Sequence, residues 1–301
     1  MISVKTWLQA FRLRTLPLAF SSILLGSFLA AYEGHFSYPI LFFALLTTLF
    51  LQILSNLAND FGDYAKGTDN ASRIGPQRTL QAGLISPSAM RYAMIIVSLL
   101  AFLSGIFLLY LSGIFSDAHI FMFFLLLGLL CILAAITYTV GKNAYGYKGF
   151  GDISVLVFFG FVGVLGTHYL MAKHFVLPFV LPACACGLLA VGVLNLNNLR
   201  DLENDKASGK NSIPVLIGFE AGKRYHFLIV AFAFLSFAVF DILYLQKWGR
   251  LAFLLLIPFY VFHIYRVYKT TQHKELDKFL KQLALTSLFS TCLLGLSIAA
   301  N

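Results

Sequence analysis

Two short polar stretches interrupt an otherwise apolar chain. They are Asn56-Leu-Ala-Asn59-Asp60-Phe-Gly-Asp63-Tyr-Ala-Lys66-Gly67, continuing to Asp69, and Asn197-Asn-Leu-Arg200-Asp201-Leu-Glu-Asn-Asp205. Each sets amides and carboxylates at helical spacing beside a long hydrophobic segment, where an ionised carboxylate is costly without a cation or water. In the first, Asn56 and Asp60 are four apart, as are Asn59 and Asp63, so two Asn/Asp pairs line adjacent stripes of one helix. In the second, Asn197, Asp201 and Asp205 share a stripe, with Arg200 and Lys206 beside them. A hard cation such as Mg²⁺ takes one or two carboxylates, amide oxygen and waters, and completes its octahedron with substrate phosphate. Both stretches supply that ligand set without His or Cys. Asp and Asn also occur at ordinary helix ends, but two copies of Asn-x3-Asp argue for shared chemistry.

Phosphate needs positive charge as well as metal. Lys66, Arg73, Arg78, Lys148, Arg200, Lys206 and Lys210 are the candidates, with Gly75 and Gly83 flanking Arg78. A third segment, Tyr145-Gly-Tyr147-Lys148-Gly-Phe-Gly-Asp152, ends on a lone carboxylate heading an apolar run. Asp152 is either a helix cap or a base that orients an acidic acceptor, with Lys148 on the phosphate. None of the seven histidine positions forms a pair with metal-ligand spacing and an accompanying carboxylate, and no role is assigned to them. The four cysteines lie in apolar runs, and Cys184-Ala-Cys186 lacks the two-residue gap of a zinc or redox pair.

The elements that must position these residues are transmembrane helices. Hydrophobic residues make up 59% of the 301, charged residues 12%, and the mean hydropathy is +0.82. Nine apolar runs approach the ~20 residues that cross a bilayer: Leu16–Tyr32, Ile40–Ala58, Tyr92–Leu111, Ile120–Val140, Ile153–Met171, Val176–Leu194, Phe227–Leu245, Leu251–Tyr268 and Leu283–Ala299. With the N-terminus in the cytoplasm, all of the 22 Lys and Arg except Lys173, Lys247 and Arg250 fall on the inner side, as the positive-inside rule requires. Both acidic stretches then face the cytoplasm. Topology and anionic lipid headgroups account for the net charge of +9, so no nucleic-acid partner is expected. Residues 1–14 read as an amphipathic entry to the first span rather than a cleavable signal peptide. No linker divides the chain, and residues 1–301 are expected to form a single all-α membrane domain of nine helices. A weak echo between Asn56-x3-Asp60 and Asn197-x3-Asp201 is compatible with an internal duplication.

A membrane-embedded site of this kind suits a diphosphate whose hydrocarbon part lies in the bilayer. Metal and basic residues stabilise the leaving diphosphate, and a water-poor pocket preserves the allylic cation for an aromatic nucleophile. The pattern Asn59-x3-Asp63 with Asp69, together with Asn197-Asn-Leu-Arg200-Asp201-x3-Asp205, resembles the UbiA superfamily of intramembrane aromatic prenyltransferases. Those segments, with Gly75-Pro-Gln-Arg78, Tyr145 to Gly160 and Arg12-Leu-Arg-Thr-Leu-Pro17, look most like the 1,4-dihydroxy-2-naphthoate polyprenyltransferases of menaquinone synthesis.

That resemblance implies a UbiA-type bundle in the bacterial cytoplasmic membrane. It also implies Mg²⁺ held by Asn59, Asp63, Asp201 and Asp205, with Asn56, Asp60 and Asn197 as possible additional ligands. Diphosphate would meet Lys66, Arg78, Lys148, Arg200 and Lys210, and the catalytic set would be Asp63, Asp69, Lys148 and Asp152. The substrates would be a polyprenyl diphosphate and 1,4-dihydroxy-2-naphthoate, giving demethylmenaquinol with loss of CO₂ and diphosphate. The chain departs from the superfamily's Asn-Asp-x2-Asp-x3-Asp pattern at Gly67, where the last acid would stand; the next acid is Asp69. The competing readings are a relative acting on another aromatic acceptor and a cation-coupled transporter. Transporter sites lie near the bilayer midplane on broken helices, whereas these acids sit at helix ends.

Overall fold

A computed structural model describes residues 2–70, 73–245 and 254–299. The N-terminal helix α1 (Val4–Phe11) begins at Ser3, whose hydroxyl accepts from the amide of Thr6. It leads into α2 (Leu16–Tyr32), α3 (Tyr38–Ala65), α4 (Pro87–Ser112), α5 (Ala118–Thr137) and α6 (Gly151–Ala172). Then follow α7 (Val180–Arg200), the short α8 (Leu202–Ala207) and α9 (Ile213–Ile217), α10 (Phe219–Tyr244), α11 (Ile257–Lys269) and α12 (Leu276–Ala299).

Eight helical segments among the described residues are long and apolar enough to cross a membrane. They correspond to eight of the nine predicted runs. The remaining run, Leu251–Tyr268, coincides over its later part with α11, and its first residues lie outside the described ones.

Helix α7 is the centre of the bundle. Leu189, Leu196 and Leu199 are wholly buried in it, in one apolar cluster with Val230 and Phe237 of α10 and Leu283 and Leu294 of α12. A second cluster joins Leu54 and Leu57 of α3 to Met90 and Met94 of α4 and to Ala10 of α1. Helix α5 is peripheral: within it only Ala134 is buried, and Phe123, Leu130 and Leu133 face outward. Large apolar side chains turned outward are what a lipid-facing surface requires.

Backbones approach closely where α6 crosses its neighbours. A Cβ on Gly160 would lie 2.7 Å from the Ala183 carbonyl oxygen, and Gly160 meets Gly187 of α7 almost directly. Small residues at such crossings substitute for the hydrophobic driving force that lipid does not provide. The middle of α6, Leu156–Leu165, is π-helical, a rare geometry that tends to accompany functional sites.

Candidate active site

The first acidic stretch forms the last turns of α3, and its two stripes have separate surroundings. Asn56 and Asp60 turn toward the N-terminal arm. The Asn56 amide donates to the Phe11 carbonyl at 2.9 Å and to the Thr15 hydroxyl at 3.2 Å. Asp60 is ion-paired with Arg12 and, at 3.2 Å, with Arg78. Asn59 and Asp63 face inward. The Asn59 amide oxygen accepts from the Thr139 hydroxyl at 3.2 Å, and Asp63 accepts from the Tyr147 phenol at 2.7 Å.

Helix α3 ends in a turn that folds the following acid back onto it. Gly67 takes the left-handed conformation at φ 72°, and the amides of Thr68 and Asp69 return to the Asp63 carbonyl at 2.9 and 3.3 Å. Asp69 is thereby buried beside the helix end, 3.0 Å from Arg73 Nε and 3.9 Å from Arg78 Nε. Arg73 also reaches Asp201 of the second stretch at 3.5 Å. A single guanidinium thus bridges the two acidic motifs.

The second stretch spans the break between α7 and α8. Arg200 grips Asp201 with Nε at 3.0 Å and Nη2 at 2.6 Å. It also donates to Asn197 at 2.8 Å and to Asp277, at the start of α12, at 2.5 Å. Asp205 pairs with Lys210 at 3.0 Å, and the Asn204 amide donates to the Thr68 carbonyl at 2.8 Å. The third segment closes this end of the bundle. The Tyr147 hydroxyl also hydrogen-bonds Thr68 at 2.6 Å, and Lys66 Nζ lies 3.7 Å from the Tyr147 ring centroid.

Asn59, Asp63, Asp69, Asp201 and Asp205 are therefore drawn together with Lys66, Arg73, Arg78, Arg200 and Lys210. Lys148 is exposed at the rim and bonds Asn143 at 2.9 Å. Lys206 is exposed, and the oxygen of Asn197 is committed to Arg200. Asp152, buried in the first turn of α6, makes no cap bond; it accepts from the Tyr225 hydroxyl at 2.8 Å. Sequence reasoning gave no role to Thr68, Tyr147, Asn204, Tyr225 or Asp277. Tyr147 stood within a quoted motif and Asn204 within the second stretch, while Tyr225 and Asp277 carry no local signal.

Charge is unevenly distributed in this cluster. Burial, reinforced by the charge of Asp63, pushes Asp69 up to about 7 against the pull of Arg73 and Lys210. Burial also raises Asp205 despite Lys210. Asp201 is buried too, but the hydrogen bonds and charge of Arg200, helped by Arg73 and Lys210, hold it below the usual carboxylate value.

Three buried oxygens of the two stretches lack any donor, Oδ2 of Asp69 and the amide oxygens of Asn198 and Asn204, while Oδ1 of Asp69 and Oδ2 of Asp205 meet only their ion-pair partners. An oxygen-only set of carboxylate and amide acceptors fits Mg²⁺ and not a soft metal.

Below the acids lies an apolar cavity of ≈ 360 Å³. Ala44, Thr48, Gln52, Ser55 and Asn59 line it along α3, which at 1.5 Å per residue is a length of about 22 Å. Tyr138, Tyr145 and Ser154 frame its polar end, and Leu109 and Leu170 its far end.

Acceptor oxygens and bases at the mouth of a long apolar cavity describe an enzyme of the membrane interior that holds an amphiphile by its anionic head. The chain belongs to the UbiA prenyltransferase family, whose profile matches residues 19–290. It is 48% identical over 259 residues to the 1,4-dihydroxy-2-naphthoate octaprenyltransferase of Escherichia coli K12, covering 85% of this chain and 83% of that protein. The Haemophilus influenzae Rd enzyme of the same name is 42% identical over 302 residues, covering 98% and 96%. Among solved structures, a UbiA homologue from Aeropyrum pernix K1 shares the fold with a TM-score of 0.67 at 17% identity, covering 96% of this chain and 98% of that one. A UbiA homologue from Archaeoglobus fulgidus, bound to DMAPP and Mg²⁺, superposes with a TM-score of 0.60 at 17% identity over 94% and 98%.

Proposed function

We propose that this protein transfers a polyprenyl group from polyprenyl diphosphate to 1,4-dihydroxy-2-naphthoate, releasing diphosphate and CO₂ and giving demethylmenaquinol. The observation that carries the proposal is the bridge of Arg73 between Asp69 and Asp201, which makes one site of the two acidic motifs at the polar end of the apolar cavity. The relatives at 48% and 42% identity, named for transfer to this acceptor, support it.

Asn59, Asp63, Asp201 and Asp205 would hold Mg²⁺, with the unpartnered Oδ2 of Asp69 and amide oxygen of Asn204 as further acceptors. Bound there, the ion would neutralise charge developing on the leaving diphosphate. Lys66, Arg73, Arg78, Arg200 and Lys210 would take phosphate oxygens, with Lys148 at the rim. The cavity receives the hydrocarbon chain and excludes water from the allylic carbon as its C–O bond breaks. A ring carbon of the acceptor then forms the new C–C bond, and departure of CO₂ returns the electron pair that restores aromaticity. Asp152, which accepts from Tyr225, would hold or deprotonate the acceptor phenol.

The positive charge on alternate loops supports nine spans in one domain over residues 1–301, an N-terminus in the cytoplasm and a site opening to the cytoplasmic face of a bacterial inner membrane. The test is incubation of the purified protein with polyprenyl diphosphate, dihydroxynaphthoate and Mg²⁺, followed by mass spectrometry of the quinol. Product with another phenol and none with the naphthoate would overturn the acceptor assignment.

A further inference from the structure

At the end of the bundle opposite the acidic motifs, three residues far apart in sequence converge. Glu33 follows the last turn of α2, His168 lies in the last turns of α6, and His174 follows α6. Glu33 Oε2 is 2.7 Å from His168 Nε2 and 3.1 Å from His174 Nε2. One donor atom from each of the three residues lies within 4.8 Å of the other two.

The chain is bent to achieve this. Lys173 adopts the left-handed conformation at φ 66°, which a non-glycine residue enters only at a cost, and the bend carries His174 back beside His168. The Lys173 ammonium is turned to the Leu170 carbonyl instead of the cluster.

The hydrogen-bond pattern asks for a cation. His174 Nδ1 faces the Ala172 carbonyl at 2.9 Å, so in the neutral ring the proton sits on Nδ1. Its Nε2 lone pair then points at a carboxylate oxygen already engaged by His168, and two acceptors face each other. A metal ion removes that conflict without charging the ring, and the Ala172 carbonyl is the partner that a ligating histidine normally keeps on its other nitrogen.

We propose that Glu33, His168 and His174 bind a first-row transition ion, with Zn²⁺ the best match to two imidazoles and a carboxylate. At Zn–N and Zn–O lengths near 2.0–2.2 Å, neighbouring ligand atoms in a tetrahedron stand about 3.3 Å apart. The present 2.7 and 3.1 Å need to open by about 0.6 and about 0.2 Å. The fourth position goes to water or to His35, whose ring centroid is 5.8 Å from that of His174. His168 is buried while the His174 side chain is 47% exposed, so an ion reaches the site without unfolding the bundle. Thr167 and Leu170, flanking His168, line the far end of the apolar cavity. The ion is a clasp that pins the end of α2 to the end of α6 beside that far end.

The test uses the full-length chain without a polyhistidine tag, in lipid nanodiscs, stripped with chelator. An Asp63→Ala, Asp201→Ala background removes competition from the acidic site. Equilibrium dialysis with metal analysis should give one Zn²⁺ per chain and a raised thermal midpoint. Co²⁺ in its place should show the visible absorption of a tetrahedral imidazole-bound ion. His168→Gln and His174→Gln should each weaken binding about tenfold or more and abolish the thermal shift. The exposed His174 guards against a loss caused by misfolding. Absence of bound Zn²⁺, or binding and thermal shift unchanged in both histidine variants, would overturn the proposal.

Discussion

The side-chain amide of Asn204 donates to the backbone carbonyl of Thr68 at 2.8 Å, joining two segments 136 residues apart. Only this bond and the Arg73 bridge directly tie the loop after α3 to the second motif among the contacts described above. Asn204→Ala is expected to cost about 1 kcal/mol, the usual net worth of such a bond, and to lower the thermal midpoint by a few degrees. It should also raise the Mg²⁺ concentration needed for half-maximal turnover. A lowered midpoint with an unchanged Mg²⁺ requirement would make Asn204 a purely structural tie.

Asp63 stands at the inner stripe of α3 with Tyr147 as its hydrogen-bond donor. Asp63→Ala and Asp201→Ala should reduce turnover at least about a hundredfold while leaving the protein folded, as judged by circular dichroism and size exclusion. Tyr147→Phe keeps the ring beneath Lys66 but removes the phenol that orients Asp63, and should cost about tenfold in kcat. Normal turnover in Asp63→Ala would remove that residue from the metal site.

Ala44 is buried and lines the cavity about 22 Å along α3 from Asn59. Ala44→Phe should fill the far part of the cavity and reduce turnover several-fold with long polyprenyl diphosphates, while geranyl diphosphate still reacts. Parallel assays with donors of graded length read this directly. Equal losses at every length would detach the cavity from chain binding.

Asp69 links stability to pH. Its folded value is raised from 3.8 to about 7, so its stabilising contribution is complete below the unfolded value and is lost as pH rises through the folded one. Asp205 shifts in the same direction, and Asp201, held low, acts only in more acidic solution. Relative to Asp69→Asn, metal-free protein should therefore lose thermal stability between about pH 4 and about pH 7, and Mg²⁺, which needs the ionised acids, should restore more of it at each step upward. Asp69→Asn should flatten the metal-free profile. A pH dependence unchanged between wild type and Asp69→Asn would contradict the assignment.

The fold was legible where hydropathy alone decides. The run Leu16–Tyr32 coincides with α2, whereas α3 continues beyond Ala58 to Ala65 and α12 begins at Leu276 instead of Leu283. In α12 the extra turns carry exposed Lys278, yet Leu276, Phe279 and Leu283 are buried on one stripe. Amphipathic periodicity, not mean hydropathy, marks that end. The acidic ligand candidates were legible because each set lies within one helical repeat. Their partners were not: Tyr147 is 84 residues from Asp63, Tyr225 is 73 from Asp152, and Asp277 is 77 from Arg200. The histidines were given no role because their carboxylate lies 135 residues from His168, so only folding reveals the cluster.

Four of the six buried acids of the site already own a basic partner: Asp60 has Arg12 and Arg78, Asp69 has Arg73, Asp201 has Arg200, and Asp205 has Lys210. A divalent cation entering alone must strip carboxylates from their bases, and a free diphosphate must strip bases from their carboxylates. Entering together, the two ions would swap partners with the pairs, the cation taking acids and the diphosphate taking the released Lys and Arg. On the proposed function, such a pocket would favour the metal–diphosphate complex over either ion by itself. On departure of that complex the internal pairs would close again and leave no stranded charge beside the lipid.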